Sequence, residues 1–174
     1  AQLAPQPVEA ETILAFAPIR GAKVEFVAEK ATELGATRLM PTVTRRTVID
    51  KANPLRMRAN AIEAAEQCGR LAIPEIAEIR KLDQVLGAWD PAIPLFFCDE
   101  AGDAPHLFEA TKGIGETPVG VLIGPEGGFD PVERVLLRRL PFVRPTGLGR
   151  RILRAETAAI AALALIEAAR VVPA

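Results

Sequence analysis

The chain has 174 residues, 49% of them apolar and 25% charged, and a formal net charge of −1 at neutral pH. That length holds one domain with a real core, and the near-zero charge excludes a strongly basic nucleic-acid binder of the kind recognised by composition alone. The global balance hides a local one: between Arg134 and Arg154 stand seven arginines (134, 138, 139, 144, 150, 151 and 154) and no acidic residue, so the surface is expected to be polarised.

In chain order, residues 1–11 carry two prolines and no pattern, and read as a tail or linker before a domain over 12–174. "TILAFAP" is a predicted strand. "GAKVEFVAEKATELG" places Val24, Val27, Ala31 and Leu34 on one helical face, with Gly35 as a stop. "TRLMPTVT" and "RTVI" are strand-like. Asn53 and Pro54 form an N-cap and N1 pair for a helix to about Gly69, with Leu55, Ile62 and Ala65 expected to face inward. "EIAEI" and "PLFFC" are short strands around a modest helix near Leu82 to Leu86.

Farther on, His106 falls in the first turn of a short helix in "DAPHLFEA", where its role is structural. "VGVLI" is a continuous apolar run, as in a strand buried on both faces. Asp130, Pro131 and Glu133 occupy N-cap, N1 and N3 of the next helix, a capping box. "FVRPT" is a last strand, "GLGRRILRAE" a loop, and "TAAIAALALIEAAR" a final helix. That helix is apolar nearly all round, so it is expected to be deeply buried or packed against a second copy. The alternation of strands and helices predicts an α/β fold with a mostly parallel sheet covered on both faces.

Cys68 and Cys98 sit among apolar neighbours and read as two buried, reduced thiols. They follow no metal-ligand spacing, and with one histidine no metal site is expected. The longest uncharged helical stretch, Thr157 to Ile166, is far short of the about 20 residues that span a bilayer.

Two loops carry the chemistry. "IGPEGGF" and "TGLGRRILR" each follow a predicted strand, and ligands of open α/β sheets sit beyond the carboxyl ends of strands. Gly124, Gly127 and Gly128 allow close backbone approach and positive φ, as do Gly147 and Gly149 in the second loop. A phosphate cradle of the P-loop type would add a lysine and a hydroxyl residue, whereas this loop carries Glu126. A carboxylate repels phosphate and is compatible with a neutral or cationic ligand, such as a sulfonium cofactor. Arg150, Arg151 and Arg154 lead into the last helix, whose first turn holds Glu156 and Thr157. Arginine contact with phosphate gives affinity and orientation without reading sequence, so the pair of loops suggests chemistry on a nucleic acid. The plainer alternatives are two tight turns, with Arg154 and Glu156 paired inside the fold.

"LIGPEGGF" followed by "LGRRILRAETAA" resembles the paired signature of the 16S ribosomal RNA (uracil-N3)-methyltransferases of the SPOUT superfamily. "EKATELGATRLMP" and "EAAEQCGRLAIPEI" are similar to that family's first-helix and second-helix motifs, so the likeness runs from about Val24 to Ala169. The resemblance implies a deep trefoil knot, a cytoplasmic homodimer built largely on the knot and last helix, and methyl transfer from S-adenosylmethionine to N3 of a uridine in 16S ribosomal RNA. It assigns cofactor contact to Gly124, Glu126, Gly127, Gly128, Leu148, Gly149, Ile152 and Leu153, with the end of "LFFCDE" as a third wall. Arg151 and Arg154 would bind RNA or polarise the base, Glu156 would accept a proton, and Arg46, Gln67, Arg70 and Arg150 would contact RNA.

Two departures stand out. The small β-barrel RNA-binding domain of the PUA type that precedes the methyltransferase domain in the family is expected to be missing here. Arg45 also stands where the pattern leads one to expect an acidic residue before Arg46. The rival readings are a SPOUT enzyme acting on another RNA such as transfer RNA, an inactive module that binds RNA or cofactor, and a nucleotide-phosphate binder.

Overall fold

The computed structural model describes residues 9–171 except 22, 50 and 101, so most of the segment read as a tail lies outside the described residues. Strands β1 (Thr12–Phe16), β2 (Arg38–Val43), β3 (Glu75–Ile76), β4 (Arg80–Lys81), β5 (Leu95–Cys98), β6 (Val119–Ile123) and β7 (Val143–Thr146) form one sheet in the order β3-β2-β1-β6-β5-β7, with β4 also on β2. Every pairing is parallel, as the alternating pattern predicted. The single strand expected over "EIAEI" is two short ones, which pair with opposite halves of β2.

The helices are α1 (Lys23–Glu33), α2 (Pro54–Cys68), α3 (Leu82–Gly87), α4 (Leu107–Ala110), α5 (Pro131–Arg139) and α6 (Ala155–Val171). Side chains of successive strand residues alternate between two hydrophobic layers. Leu14, Phe16, Phe96, Val119, Val121 and Ile123 point into a layer shared with α1, α6 and Met57 of α2. Ile13, Ala15, Leu95, Phe97 and Leu122 point the other way, toward α3, Trp89, Phe129 and Leu137 of α5. Each fully buried Leu or Phe contributes about 1.5–3 kcal/mol, so burial in these two layers outweighs any single ladder bond.

Local signals for starts and stops are met. The Asn53 side chain accepts from the amides of Leu55 and Arg56, and Gly69 ends α2 with a left-handed φ of 75°. Asp130 and Glu133 form the capping box of α5. His106 caps α4, its Nδ1 accepting from the Phe108 amide at 3.2 Å.

Three expectations are corrected and a fourth is narrowed. "RTVI" is no strand: residues 45–48 turn and bend, held by the Thr47 hydroxyl against Thr44. Leu55 is 79% exposed and Ile62 half-buried, while Met57, Ala61, Ala64 and Ala65 supply the inner face of α2. Met57 of the same turn is fully buried, so Leu55, two residues earlier, falls on the opposite, outward face of the helix. Cys68, in the last turn of α2, is exposed; Cys98 is half-buried with its thiol turned inward, where burial raises its pKa to about 12. Of the two alternatives for α6, burial on all sides is not met, since Ala159, Ala162, Leu163 and Ile166 face the core, whereas Ile160 and Leu165 are half-buried and Ala164 is exposed; packing against a second copy stands as the other.

Gly120 shows how tightly one layer closes. A Cβ there would lie 2.3 Å from the Trp89 ring, whose Nε1–H donates to the Ile93 carbonyl at 2.8 Å. We expect Gly120→Ala to destabilise the protein by about 1–3 kcal/mol through overpacking. Thermal unfolding checks this, and an unchanged Tm would show that Trp89 can move aside.

Candidate functional site

Strands β6, β5 and β7 are neighbours, so the loops at their carboxyl ends (residues 124–130, 99–106 and 147–154) gather at one end of the sheet. Helices α1, α2 and α6 begin at that same end, since each follows a strand or loop that finishes there. Two predicted loops and the expected third wall are therefore brought together.

The turn after β6 is built around Phe129. Its ring is buried, meets Phe97 edge-on at a centroid distance of 4.7 Å, and lies so close beneath Gly124 that a Cβ there would be 2.6 Å away. Gly128 adopts φ +67°, its amide donates to the Pro125 carbonyl at 2.9 Å, and a Cβ on it would be 2.3 Å from Glu100 Oε1. The same Glu100 oxygen accepts from the Phe129 amide at 3.3 Å. A partly exposed carboxylate of the chain itself thus stands against one side of the turn. Glu126, by contrast, points outward, exposed and with no ion pair among the described residues.

Glu100 belongs to a charged network that ties the third wall to α5. Asp99 is fully buried at the end of β5, with its amide donating to Thr146 O of β7 at 2.9 Å. Arg134 Nε lies 2.9 Å from Asp99 Oδ1, and Arg134 also pairs with Glu100. Arg138 donates to Asp99 Oδ2 at 2.7 and 3.0 Å and to Asp103 Oδ2 at 2.9 Å. Arg138 holds the Asp103 carboxyl below its ordinary pKa, and both acids raise that of Arg138. Arg134 and Arg138 are one helical turn apart, which puts both guanidinium groups on the face turned to β5. The composition-level reading of seven arginines missed this set. The usable signal was "CDE" at the end of a buried strand, matched by arginines at i and i+4 in "ERVLLRR".

In the second loop Gly149 has φ +113° and open space where a Cβ would stand. Leu148 and Leu153 are half-buried, whereas Ile152 is 85% exposed, a bare apolar side chain at the rim. Arg150, Arg151 and Arg154 are exposed and make no ion pair among the described residues. Arg144 is different, being turned onto the carbonyls of Pro141 and Val143.

Glu156, expected as a proton acceptor, forms a 2.8 Å ion pair with Lys23 that joins the starts of α1 and α6. Lys23, and more weakly Arg154, hold its pKa below the ordinary carboxylate value. Lys23 was not singled out from the sequence.

Of the expected RNA contacts, Arg46 meets the glycine-rich turn directly: its Nη1–H donates to Gly127 O at 3.0 Å. The neighbouring Arg45 amide donates to Glu133 at 2.7 Å, fixing this loop to α5. Gln67 and Arg70 do not join them. At about 1.5 Å per residue, α2 carries its last turn roughly 20 Å from its start, to the opposite end of the sheet. Gln67 is exposed there, while Arg70 is only 7% exposed, pairs with Glu9 just before β1, and donates to the Thr32 carbonyl at 2.7 Å. An arginine spent on a buried internal pair is withdrawn from any RNA surface. Among the described residues no cluster of His, Cys, Asp and Glu could hold a metal ion, and no helix is long and apolar enough to cross a membrane.

A family model described as an RNA methyltransferase domain matches residues 5–167. The chain is 31% identical over 153 residues to a Ribosomal RNA small subunit methyltransferase E of Rickettsia conorii, covering 88% of this chain and 62% of that protein. Among solved structures it is similar to a methyltransferase of Legionella pneumophila in complex with the cofactor SAM, at 32% identity and a TM-score of 0.81, over 91% of this chain and 66% of that one. The SpoU methyltransferase AviRb of Streptomyces viridochromogenes shares the fold at 21% identity and a TM-score of 0.60, over 94% of this chain and 61% of that one. The chain spans about three fifths of the length of the curated relatives it matches.

The Lys23–Glu156 pair has a pH signature. Because the folded-state pKa of Glu156 is lowered, the pair stabilises the fold above the ordinary carboxylate pKa. That contribution disappears as pH falls through the lowered value. In a Glu156→Gln protein the acid limb of the stability curve is expected to be shallower than in the wild type. Superimposable limbs in denaturant titrations across acidic pH would remove the pair from the stability argument.

Proposed function

Since this chain belongs to the RNA methyltransferase domain family, we propose that it transfers a methyl group from S-adenosylmethionine to N3 of a uridine in small-subunit (16S) ribosomal RNA. We further propose that it acts as a cytoplasmic homodimer with a knotted C-terminal region. One juxtaposition carries the reading. A glycine-rich turn whose inner amide is already taken by a carboxylate stands at the same sheet end as a loop with three unpaired arginines.

The site's residues suit the cofactor. Gly124, Glu126, Gly127 and Gly128 would hold it from one side, and Leu148, Gly149, Ile152 and Leu153 from the other. The exposed Glu126 carboxylate favours a sulfonium cation, and the Glu100 carboxylate already takes the Phe129 amide, so two carboxylates beside the turn count against the nucleotide-phosphate reading. When bound, S-adenosylmethionine supplies an electrophilic methyl group.

The chain's own residues do the remaining work. Arg46 and Arg150 hold the RNA backbone beside the turn, a contact that gives affinity and register. Arg151 and Arg154 face the uracil oxygens and stabilise the negative charge left as the N3 proton departs. Glu156, kept ionised by Lys23, orients the start of α6 and Arg154 rather than taking that proton.

The knot reading draws support from Gly147. It donates to Pro105 O at 2.8 Å and accepts from Leu107 at 2.9 Å, so the last crossover lies against the loop that follows β5. The half-buried Ile160 of α6, which is not part of the core cluster, suits a second copy.

Calorimetric titration tests the first step: one S-adenosylmethionine site per chain and none for ATP are expected, and a folded protein that binds neither overturns the reading. In a methyl-transfer assay, Arg154→Ala is expected to keep cofactor affinity and lose activity on the order of a hundredfold. Wild-type activity in that variant refutes the assigned role. Transfer RNA offered beside ribosomal RNA in the same assay separates the two substrate classes.

A further inference from the structure

Glu100 ends the "LFFCDE" stretch expected as a third wall, but no role of its own has been assigned to it, and it meets the glycine-rich turn at Gly128 and Phe129. Its Oε1 accepts from the Phe129 amide at 3.3 Å, and it lies where a Cβ on Gly128 would sit, 2.3 Å from the ideal position. Only glycine at 128, in its left-handed conformation, lets the carboxylate come so near. Arg134 holds the same oxygen from the other side, and Arg134 is itself anchored on the buried Asp99. The side chain is neither a free surface carboxylate nor a simple helix pair. It bridges two elements that are 29 residues apart in sequence.

A glycine-rich turn with an inward amide normally accepts an anion from outside. Here the anion is part of the chain. We propose that Glu100 is a positioning residue: its carboxylate, clamped by Arg134, is the built-in anion of the 124–130 turn and fixes that turn in the shape that receives the methyl donor. The proposal rests on the methyl-donor reading above. It gives Gly128 a specific duty, leaving room for a carboxylate rather than for a ligand. With the Phe129 amide met by Glu100, the outward-facing Glu126 on the rim of the turn stays available to a cation.

The test compares wild-type protein with Glu100→Ala and Glu100→Gln by S-adenosylmethionine titration, with circular dichroism and thermal melting on each. Removing a charged acceptor from the turn is expected to weaken binding in Glu100→Ala on the order of tenfold. Sodium acetate or formate should restore part of that loss in Glu100→Ala and leave wild type unaffected, because a small carboxylate can refill the vacated space. A merely structural glutamate would lower the Tm without such rescue. Glu100→Gln keeps the side chain's volume and an acceptor for the Phe129 amide but loses the charge facing Arg134. It is expected to fall between the other two and serves alone if the alanine variant does not fold. Wild-type affinity in whichever variant is folded overturns the proposal, as does a loss that neither carboxylate restores in folded Glu100→Ala. Failure of the wild-type protein to bind S-adenosylmethionine would instead sink the methyl-donor reading, so the two failures are distinguishable.

Discussion

Asp99 is a fully buried carboxylate at the carboxyl end of a central strand, and the geometry of the site follows from how its charge is met. Left unpaired, a buried ion costs several kcal/mol, so the fold must bring cations to it. Helix α5 does so with Arg134 and Arg138. Once α5 is held at β5, the turn that joins β6 to α5 has little freedom in where it runs. It folds back over Phe129 and Phe97, and Gly124 and Gly128 are the residues that permit the return. The same strand end reaches β7 through the Asp99 amide, so one residue sets the spacing of all three loops.

A charge count along the chain would treat the arginines between 134 and 154 as one basic segment. The fold divides them by partner. Arg134 and Arg138 are neutralised by Asp99, Glu100 and Asp103, and Arg144 is spent on backbone carbonyls. Arg150, Arg151 and Arg154 remain exposed without ion pairs among the described residues, and the exposed Arg46 donates to the Gly127 carbonyl of the glycine-rich turn. A chain of net charge −1 can therefore present a concentrated cationic rim at one end of its sheet, where a polyanion would be steered and held. Exposed pairs elsewhere, such as Lys112 with Glu109, contribute little to that field or to stability.

Helix α2 illustrates how length alone can decide a residue's role. "EAAEQCGR" holds polar side chains at helical spacing, and its likeness to a family motif invited placing Gln67 and Arg70 at the substrate. The helix starts at the site and runs away from it, so its far end closes the opposite edge of the sheet. There Arg70 pairs with Glu9 and Arg170 of α6 caps the start of β1 through Glu11 O and the Thr12 hydroxyl. Those two buried or half-buried guanidinium groups brace the edge where strands begin, and the exposed ones gather where strands end.

The amino-acid sequence by itself determined the alternation of elements, the parallel sheet, the N-terminal caps of α2 and α5, and the two glycine-rich loops at the strand ends. Each of these rests on local physics: periodicity, a missing amide proton at proline, a glycine free to take positive φ. It also carried the family likeness, because the paired loop motifs are contiguous strings. What it left undecided was every partnership across the chain. Glu133, visible as a capping residue, also receives the Arg45 amide; Glu156, visible as a first-turn acid, belongs to Lys23; Glu100, visible only as the end of a possible third wall, lies beside Gly128. These pairs join residues from 28 to 133 positions apart. Only tertiary packing could assign them, since a charge's partner is set by where the sheet order places its strand, and β6 and β5 are neighbours for reasons that no window of sequence contains.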